Sequence, residues 1–257
     1  MTGNVRGVDA GPVAGRVLPT PFVFAFDRAH LHDVAGARCD AYRGARPFPH
    51  AVIDGLLPDA VLDALVAEFP EPDAAWRQFD DRNQRKFGAG VVETDLGGLT
   101  RNVLAEFNSS AFIDFLHELT GIEEPLLSDP YYRGGGLHQI PPGGYLQVHA
   151  DFNRHPQFRL DRRVNVLLYL NRDWNPDWGG QLELWDATMS RAEQRIDPAF
   201  NRMVIFTITD TAFHGHPDPL RCPPDRARRS LAFYYYSNGR PADERSDDHS
   251  TLFQARP

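Results

Sequence analysis

Two histidines and an aspartate are the residues of this chain best suited to chemistry: His149-Ala150-Asp151 and, further along, His214. A strand sends residues i and i+2 to the same face, so His149 and Asp151 can grip one ion together. A second histidine from another strand completes a 2-His-1-carboxylate set. That set holds Fe(II) on one side and leaves about three of roughly six positions open, enough for a co-substrate and O2. Spacing alone is weak evidence, since H-x-D also arises as a surface histidine followed by a turn aspartate. The third ligand has two candidates. The apolar run Val204-Ile205-Phe206-Thr207 leads into Ala212-Phe213-His214-Gly215-His216, and alternation puts both histidines on one face.

A further run, Arg228-Arg229-Ser230-Leu231-Ala232-Phe233-Tyr234-Tyr235-Tyr236, opens with two arginines ahead of an apolar strand. A buried guanidinium needs an anionic partner. A dicarboxylate co-substrate would supply one, because the guanidinium fork matches a carboxylate with two parallel hydrogen bonds. Arg228 shares a face with the small residues Ser230 and Ala232, which leave room for a ligand. Arg229 shares the other face with Leu231 and Phe233, a packing face, and is the alternative. The tyrosine run reads as strand packing on both faces.

Residues 1–20 lack periodicity and read as a disordered lead. The rest, 21–257, reads as one domain, with helical support over about 45–125 and a barrel core over about 135–237. Phe22, Phe24 and Phe26 alternate as in a strand. Pro47 to Ile53 reads as a strand, and Pro58 to Phe69 as a helix with Leu62, Leu65, Val66 and Phe69 on one face. Residues 71–98, carrying Trp76 and Lys86, read as a long loop. A second helical region runs from Leu99 to Leu119, broken at Asn108-Ser109-Ser110 and closed by Gly121. Beyond it, β-rich runs recur at Gly136–Ile140, Tyr145–Ala150, Val164–Leu170, Gln181–Trp185, Met203–Ile208 and Ser230–Tyr236. Turn signals separate them, the cadence of a sandwich or barrel. The tail after Gly239 is polar and reads as loosely held.

The three chemical pieces, in this order, resemble the Fe(II)- and 2-oxoglutarate-dependent dioxygenases of the prolyl-4-hydroxylase-like branch. The likeness continues through Tyr169-Leu170-Asn171-Arg172-Asp173-Trp174 and Gly179-Gly180-Gln181-Leu182-Glu183-Leu184, and covers about residues 135–237 well. It implies a mainly β fold with supporting α-helices: a double-stranded β-helix, a cupin-like jelly roll open at one end, with N-terminal helices. It implies His149, Asp151 and His214 as catalytic metal ligands, and leaves His216 where the family usually has valine. It implies Tyr169 and Arg228 as the holders of 2-oxoglutarate. The cofactors follow as Fe(II), 2-oxoglutarate and O2, with ascorbate as reductant. The implied activity is hydroxylation of an unactivated C–H bond of a small molecule or an amino-acid or peptidyl substrate, with release of succinate and CO2. Asp151 favours that outcome, because halogenating relatives carry a small residue in its place.

Gln139, Asn153, His155 and Trp174 fall near the barrel mouth by sequence and are the candidates for substrate contact. Two other classes compete: a non-catalytic jelly-roll binding or sensor protein, and a metal-dependent cupin enzyme that does not use 2-oxoglutarate. The last gives Arg228 no special task. A net charge of −8 and a pI near 5.6, with no basic stripe, argue against a nucleic-acid partner. Of 27 basic residues only Lys86 is a lysine. Two cysteines, Cys39 and Cys222, are too few for a disulfide scaffold and suit a reducing cytosol. No apolar run approaches the roughly 20 residues of a membrane span, and residues 1–20 lack the features of a signal peptide. Cytoplasmic localisation is the expectation, and oligomeric state is left open.

Overall fold

The computed structural model describes residues 24–73, 76–89 and 96–256. The expected lead, residues 1–20, and Phe22 lie outside these residues. In chain order the helices are α1 (Arg28–Gly44), α2 (Asp59–Glu68), α3 (Gly98–Phe107) and α4 (Ser110–Thr120). The strands of the N-terminal half are β1 (His50–Asp54), β2 (Arg77–Asp81), β3 (Gln84–Ala89) and β4 (Leu127–Ser128). Next come β5 (Gly136–Ile140), β6 (Tyr145–Ala150), β7 (Asp161–Tyr169), β8 (Leu182–Trp185) and β9 (Ala192–Ile196). The last are β10 (Arg202–Thr207), β11 (His214–His216), β12 (Arg228–Ser237) and β13 (Leu252–Phe253).

All the strands join one curled antiparallel sheet of the double-stranded β-helix type, its main path running β1-β10-β7-β12-β5-β3-β6-β11-β8-β9. One wall is β1, β10, β7, β12 and β5; the other is β6, β11, β8 and β9. β3 lies between them, pairing with β5 through Gly88↔His138 and with β6 through Arg85↔Tyr145. The sheet therefore has two differently used faces. Inside, Phe48, Leu182, Leu184, Val204, Phe206 and Ile208 fill the fold behind the site. Outside, the helices cover β12 and its neighbours with a second, larger core. There the Phe107 ring stacks on Phe233 with centroids 4.0 Å apart, and the Tyr235 hydroxyl donates to the Phe107 carbonyl.

Three expectations need correction. Residues 21–45 are ambiguous by sequence, and Phe24 and Phe26, whose alternation suggests a strand, lie instead in an irregular approach to the helix Arg28–Gly44. α1 is capped by the Asp27 side chain, which accepts from the His30 amide, and it buries Leu31, Ala35 and Tyr42. The supposed loop holds the β2–β3 hairpin, whose turn is fastened by Asp81 accepting from the amides of Asn83 and Gln84. The tail is not loose: β13 pairs with the end of β6, with Leu252 opposite Ala150 and Phe253 opposite His149. The expected break between α3 and α4 is present, where Ser109 caps α4 at the Phe112 amide; Gly121 closes that helix in the left-handed region.

Candidate metal centre

Strand pairing assembles the triad. His214 of β11 is the direct cross-strand partner of His149 of β6, and Asp151 follows two residues beyond His149. Gly215 permits this close approach, since a Cβ there would lie 2.9 Å from the carbonyl oxygens of Leu146 and Gln147. The three ligand atoms all lie within 4.8 Å of one another. His149 Nε2 is 3.6 Å from Asp151 Oδ1, and His214 Nε2 is 3.4 Å from Asp151 Oδ2. Ligands about 2.0–2.2 Å from an ion and at right angles to one another stand about 3 Å apart, so the two histidine–aspartate separations need only a small contraction.

Tautomer and charge suit a metal as well. Each imidazole has Nδ1 against a backbone carbonyl, Gln147 O at 2.8 Å for His149 and Ala212 O at 2.9 Å for His214. A carbonyl can only accept, so both Nδ1 atoms carry the proton and both Nε2 lone pairs face the centre. Burial, with His214 alongside, lowers the His149 pKa and keeps the ring neutral. For Asp151, burial alone would raise the pKa; the Arg162 charge outweighs it and holds the carboxyl well below its usual range. Arg162 Nη2 lies 3.1 Å from Asp151 Oδ2, and Asn165 Nδ2 donates to the same oxygen at 2.7 Å. The donor set fits a divalent ion: two imidazoles held through Nδ1 and one anion, oriented by groups behind them.

The triad opens into a cavity of about 80 Å3. His138, Leu182, Ser230 and Tyr234 help to line it, and Lys86, His216 and Arg228 bring the polar groups of its far side. Arg228 donates Nε–H to the Gly180 carbonyl at 2.8 Å and Nη2–H to the Tyr169 hydroxyl at 3.0 Å. Gly180 has φ +78°, and a Cβ on it would sit 3.1 Å from Arg228 Cδ, so glycine leaves the arginine its path. Arg229 points the opposite way, paired with Glu71 at 2.6 Å and with the Gln139 side chain at 2.9 Å. His216 also faces the cavity, on the same side of β11 as His214.

The four substrate candidates lie away from this lining. Gln139 and Trp174 line an outer cleft of about 460 Å3 that contains none of the triad. Asn153 pins the tail, bonding to Ser246, Asp247 and the His249 amide. His155 is fully buried, stacked on Phe158, with Nδ1 accepting from two backbone amides. Sequence reading also missed Arg162, Asn165 and His138, while Lys86, read as part of a loop that could close over the mouth, reaches the cavity from strand β3. A polar residue inside the apolar β7 run was the available signal for Asn165, which shares a face with Tyr169. Arg162 reaches that face only because the β7–β12 register shifts between Tyr235 and Tyr236.

Residues 135–236 match the family model of the 2OG-Fe(II) oxygenase superfamily. Over that segment the chain is similar to the superfamily, and Fe(II) and 2-oxoglutarate are what this likeness and the His149, Asp151, His214 triad imply. Comparison with curated proteins gives no match. Among solved structures, a Pseudomonas putida prolyl-4-hydroxylase aligns at 20% identity and TM-score 0.52, over 82% of this chain and 99% of its own. A Trichoplax adhaerens prolyl hydroxylase, solved with a hypoxia inducible factor oxygen degradation domain peptide fragment, aligns at 17% identity and TM-score 0.56, over 81% and 91%. A Phytophthora capsici prolyl 4-hydroxylase gives 20% and 0.54, over 84% and 68%. At these identities the likeness is one of fold. Among the described residues no helix is long and apolar enough to cross a membrane.

Proposed function

We propose that this chain is a hydroxylase that oxidises an unactivated C–H bond of a small molecule or an amino-acid or peptidyl substrate, using His149, Asp151 and His214 to hold Fe(II). With Fe(II) and 2-oxoglutarate bound, the site supplies oxidative decarboxylation to succinate and CO2, coupled to transfer of one oxygen atom to the substrate. The observation that carries the reading is one cavity lined by both the triad and Arg228, whose guanidinium also donates to the buried Tyr169 hydroxyl.

The protein's own part is placement and charge. Two of Arg228's donors are used within the fold, and its remaining guanidinium face is left for an incoming carboxylate. Tyr169 accepts from Arg228, so its hydroxyl hydrogen is free to donate to the same carboxylate. Burial raises the Tyr169 pKa, against the pull of Arg228, and keeps that proton in place. The walls at Leu167, Leu182 and Phe206 exclude water around the reacting centre. A cupin enzyme that does not use 2-oxoglutarate would leave the buried Arg228 without an anion.

The test is succinate release from 2-oxoglutarate by the Fe(II)-loaded protein, followed by mass spectrometry. Release should require both the keto acid and iron. Wild-type-like turnover in a His149→Ala/Asp151→Ala double variant would refute the reading. Anaerobic titration with Fe(II) and 2-oxoglutarate, then oxygen, separates an enzyme from a binding protein. Only an enzyme consumes the charge-transfer band.

A further inference from the structure

Lys86 is the only lysine among the chain's 27 basic residues, and it faces the triad cavity. Everywhere else this sequence meets a need for positive charge with arginine, so a compact ammonium at this position is not the compositional default. β3 carries it there from between the two walls of the sheet. Among the described residues no carboxylate lies within ion-pair reach of its amine; its nearest recorded partner is the Phe79 ring, with Nζ 5.4 Å from the centroid. The other cations at the site have partners, Arg162 with Asp151 and Arg228 with Tyr169.

Charge balance around the cavity points the same way. Among the described residues Asp151 is the one carboxylate in its lining. A divalent ion, Arg162, Arg228 and Lys86 together exceed that single charge, and dianionic 2-oxoglutarate, held by Arg228 and the metal, does not cancel the excess. A second polar group is also unused. His216 is 3% exposed, lines the same cavity, and neither ring nitrogen has a hydrogen-bond partner. A buried imidazole without a partner is costly unless a ligand supplies one. One ammonium and one neutral imidazole together suit a singly charged acceptor such as a carboxylate better than a dianion.

We propose that Lys86 anchors a carboxylate of the substrate, with His216 as a second donor, so that the molecule hydroxylated is an acid such as a free amino acid. The inference rests on the hydroxylase reading above and narrows its substrate class. It assigns Lys86 to the substrate and leaves the co-substrate to Arg228.

The lone lysine makes a direct test available. Reductive 13C-methylation labels only Lys86 and the α-amino group, and the protein is then loaded with Ni(II) and 2-oxoglutarate to prevent turnover. N-acetylglycinate should shift the Lys86 resonance saturably and bind at least about tenfold more tightly than N-acetylglycinamide. His216→Val should weaken the acid and not the amide. Lys86→Met should leave 2-oxoglutarate affinity, followed through the Fe(II) charge-transfer band, within about twofold of wild type. Equal responses to acid and amide, or none to either, overturn the proposal. So does a tenfold or greater loss of 2-oxoglutarate affinity in Lys86→Met, which would give the lysine to the co-substrate. Failure of the hydroxylase reading shows separately, as absence of keto-acid-dependent succinate from the unmodified wild-type protein.

Discussion

Asp151 Oδ2 takes a hydrogen bond from Asn165 and faces the Arg162 guanidinium, so the carboxylate is aimed by protein groups before any ion arrives. Groups in this position commonly alter metal affinity by about 10–100-fold when removed. Asn165→Leu keeps the volume and deletes the bond to Asp151. It should therefore weaken Co(II) or Fe(II) binding by at least about tenfold while leaving the circular dichroism spectrum unchanged; unchanged affinity would mean that Arg162 alone orients the carboxylate. The two arginines at the head of β12 give a paired experiment. Arg228→Met removes a charge-assisted contact worth about 1.5–3 kcal/mol, so the Kd for 2-oxoglutarate should rise by roughly 10–100-fold. Arg229→Met acts on the outer face, against Glu71 and Gln139, and should leave that Kd within about twofold of wild type. Calorimetry on the Ni(II)-loaded variants measures both. Strict alternation made this part of the site readable in the sequence: it pairs His149 with Asp151 and separates Arg228 from Arg229. It did not reveal Arg162, which owes its position to an irregular register. Closeness in sequence also misled for Gln139, because His138 and Ile140 on either side of it face the cavity while Gln139 faces out.

The elements that escaped sequence reading share a cause: their stabilising contacts are tertiary rather than periodic. α1 buries only Leu31, Ala35 and Tyr42 over seventeen residues, too sparse a stripe to outweigh the alternating phenylalanines before it. β2 and β3 are mainly polar, with Phe79 and Phe87 as isolated aromatics, so no sustained period-2 pattern marks them; their hairpin is fixed by the Asp81 turn and by pairing to β5 and β6. The tail is held in the same way. Asn153 grips residues 246–249, Gln254 N donates to Val148 O at 2.8 Å, and the Phe253 ring lies 5.5 Å from the His149 ring. β13 thus covers the part of the β6 edge that β3 leaves open, beside a metal ligand. Deleting the chain from Thr251 onward should speed hydrogen exchange at Ala150 and its neighbours and lower metal affinity, with β7, β10 and β12 unaffected. Exchange unchanged at the end of β6 would show that the tail merely rests on the barrel.

At the scale of the whole molecule, helices and barrel share apolar surface instead of meeting through a polar boundary. Phe107 of α3 and Phe112 of α4 pack with Phe26, and Phe107 also stacks on Phe233 of β12. Leu168 of β7 and Met203 of β10 belong to the same buried cluster. The opposite faces of those strands line the interior that carries Tyr169 and the triad, so one sheet transmits the packing of the helices to the site. Glu106 adds a polar tie, accepting from the amides of Ala25 and Phe26 at 2.9 Å and fastening the approach to α1 against α3. An arrangement of this kind should unfold in one step. Far-UV circular dichroism weights the four helices, while tryptophan fluorescence reports mainly the barrel side through Trp174, Trp178 and Trp185. In guanidinium chloride the two signals should trace one midpoint. Phe107→Ala, which removes a fully buried ring, should cost about 3–5 kcal/mol and move both signals together. If the helical signal were lost first while fluorescence and Co(II) binding persisted, the helices would be an accessory layer, and the barrel would hold its metal centre unaided.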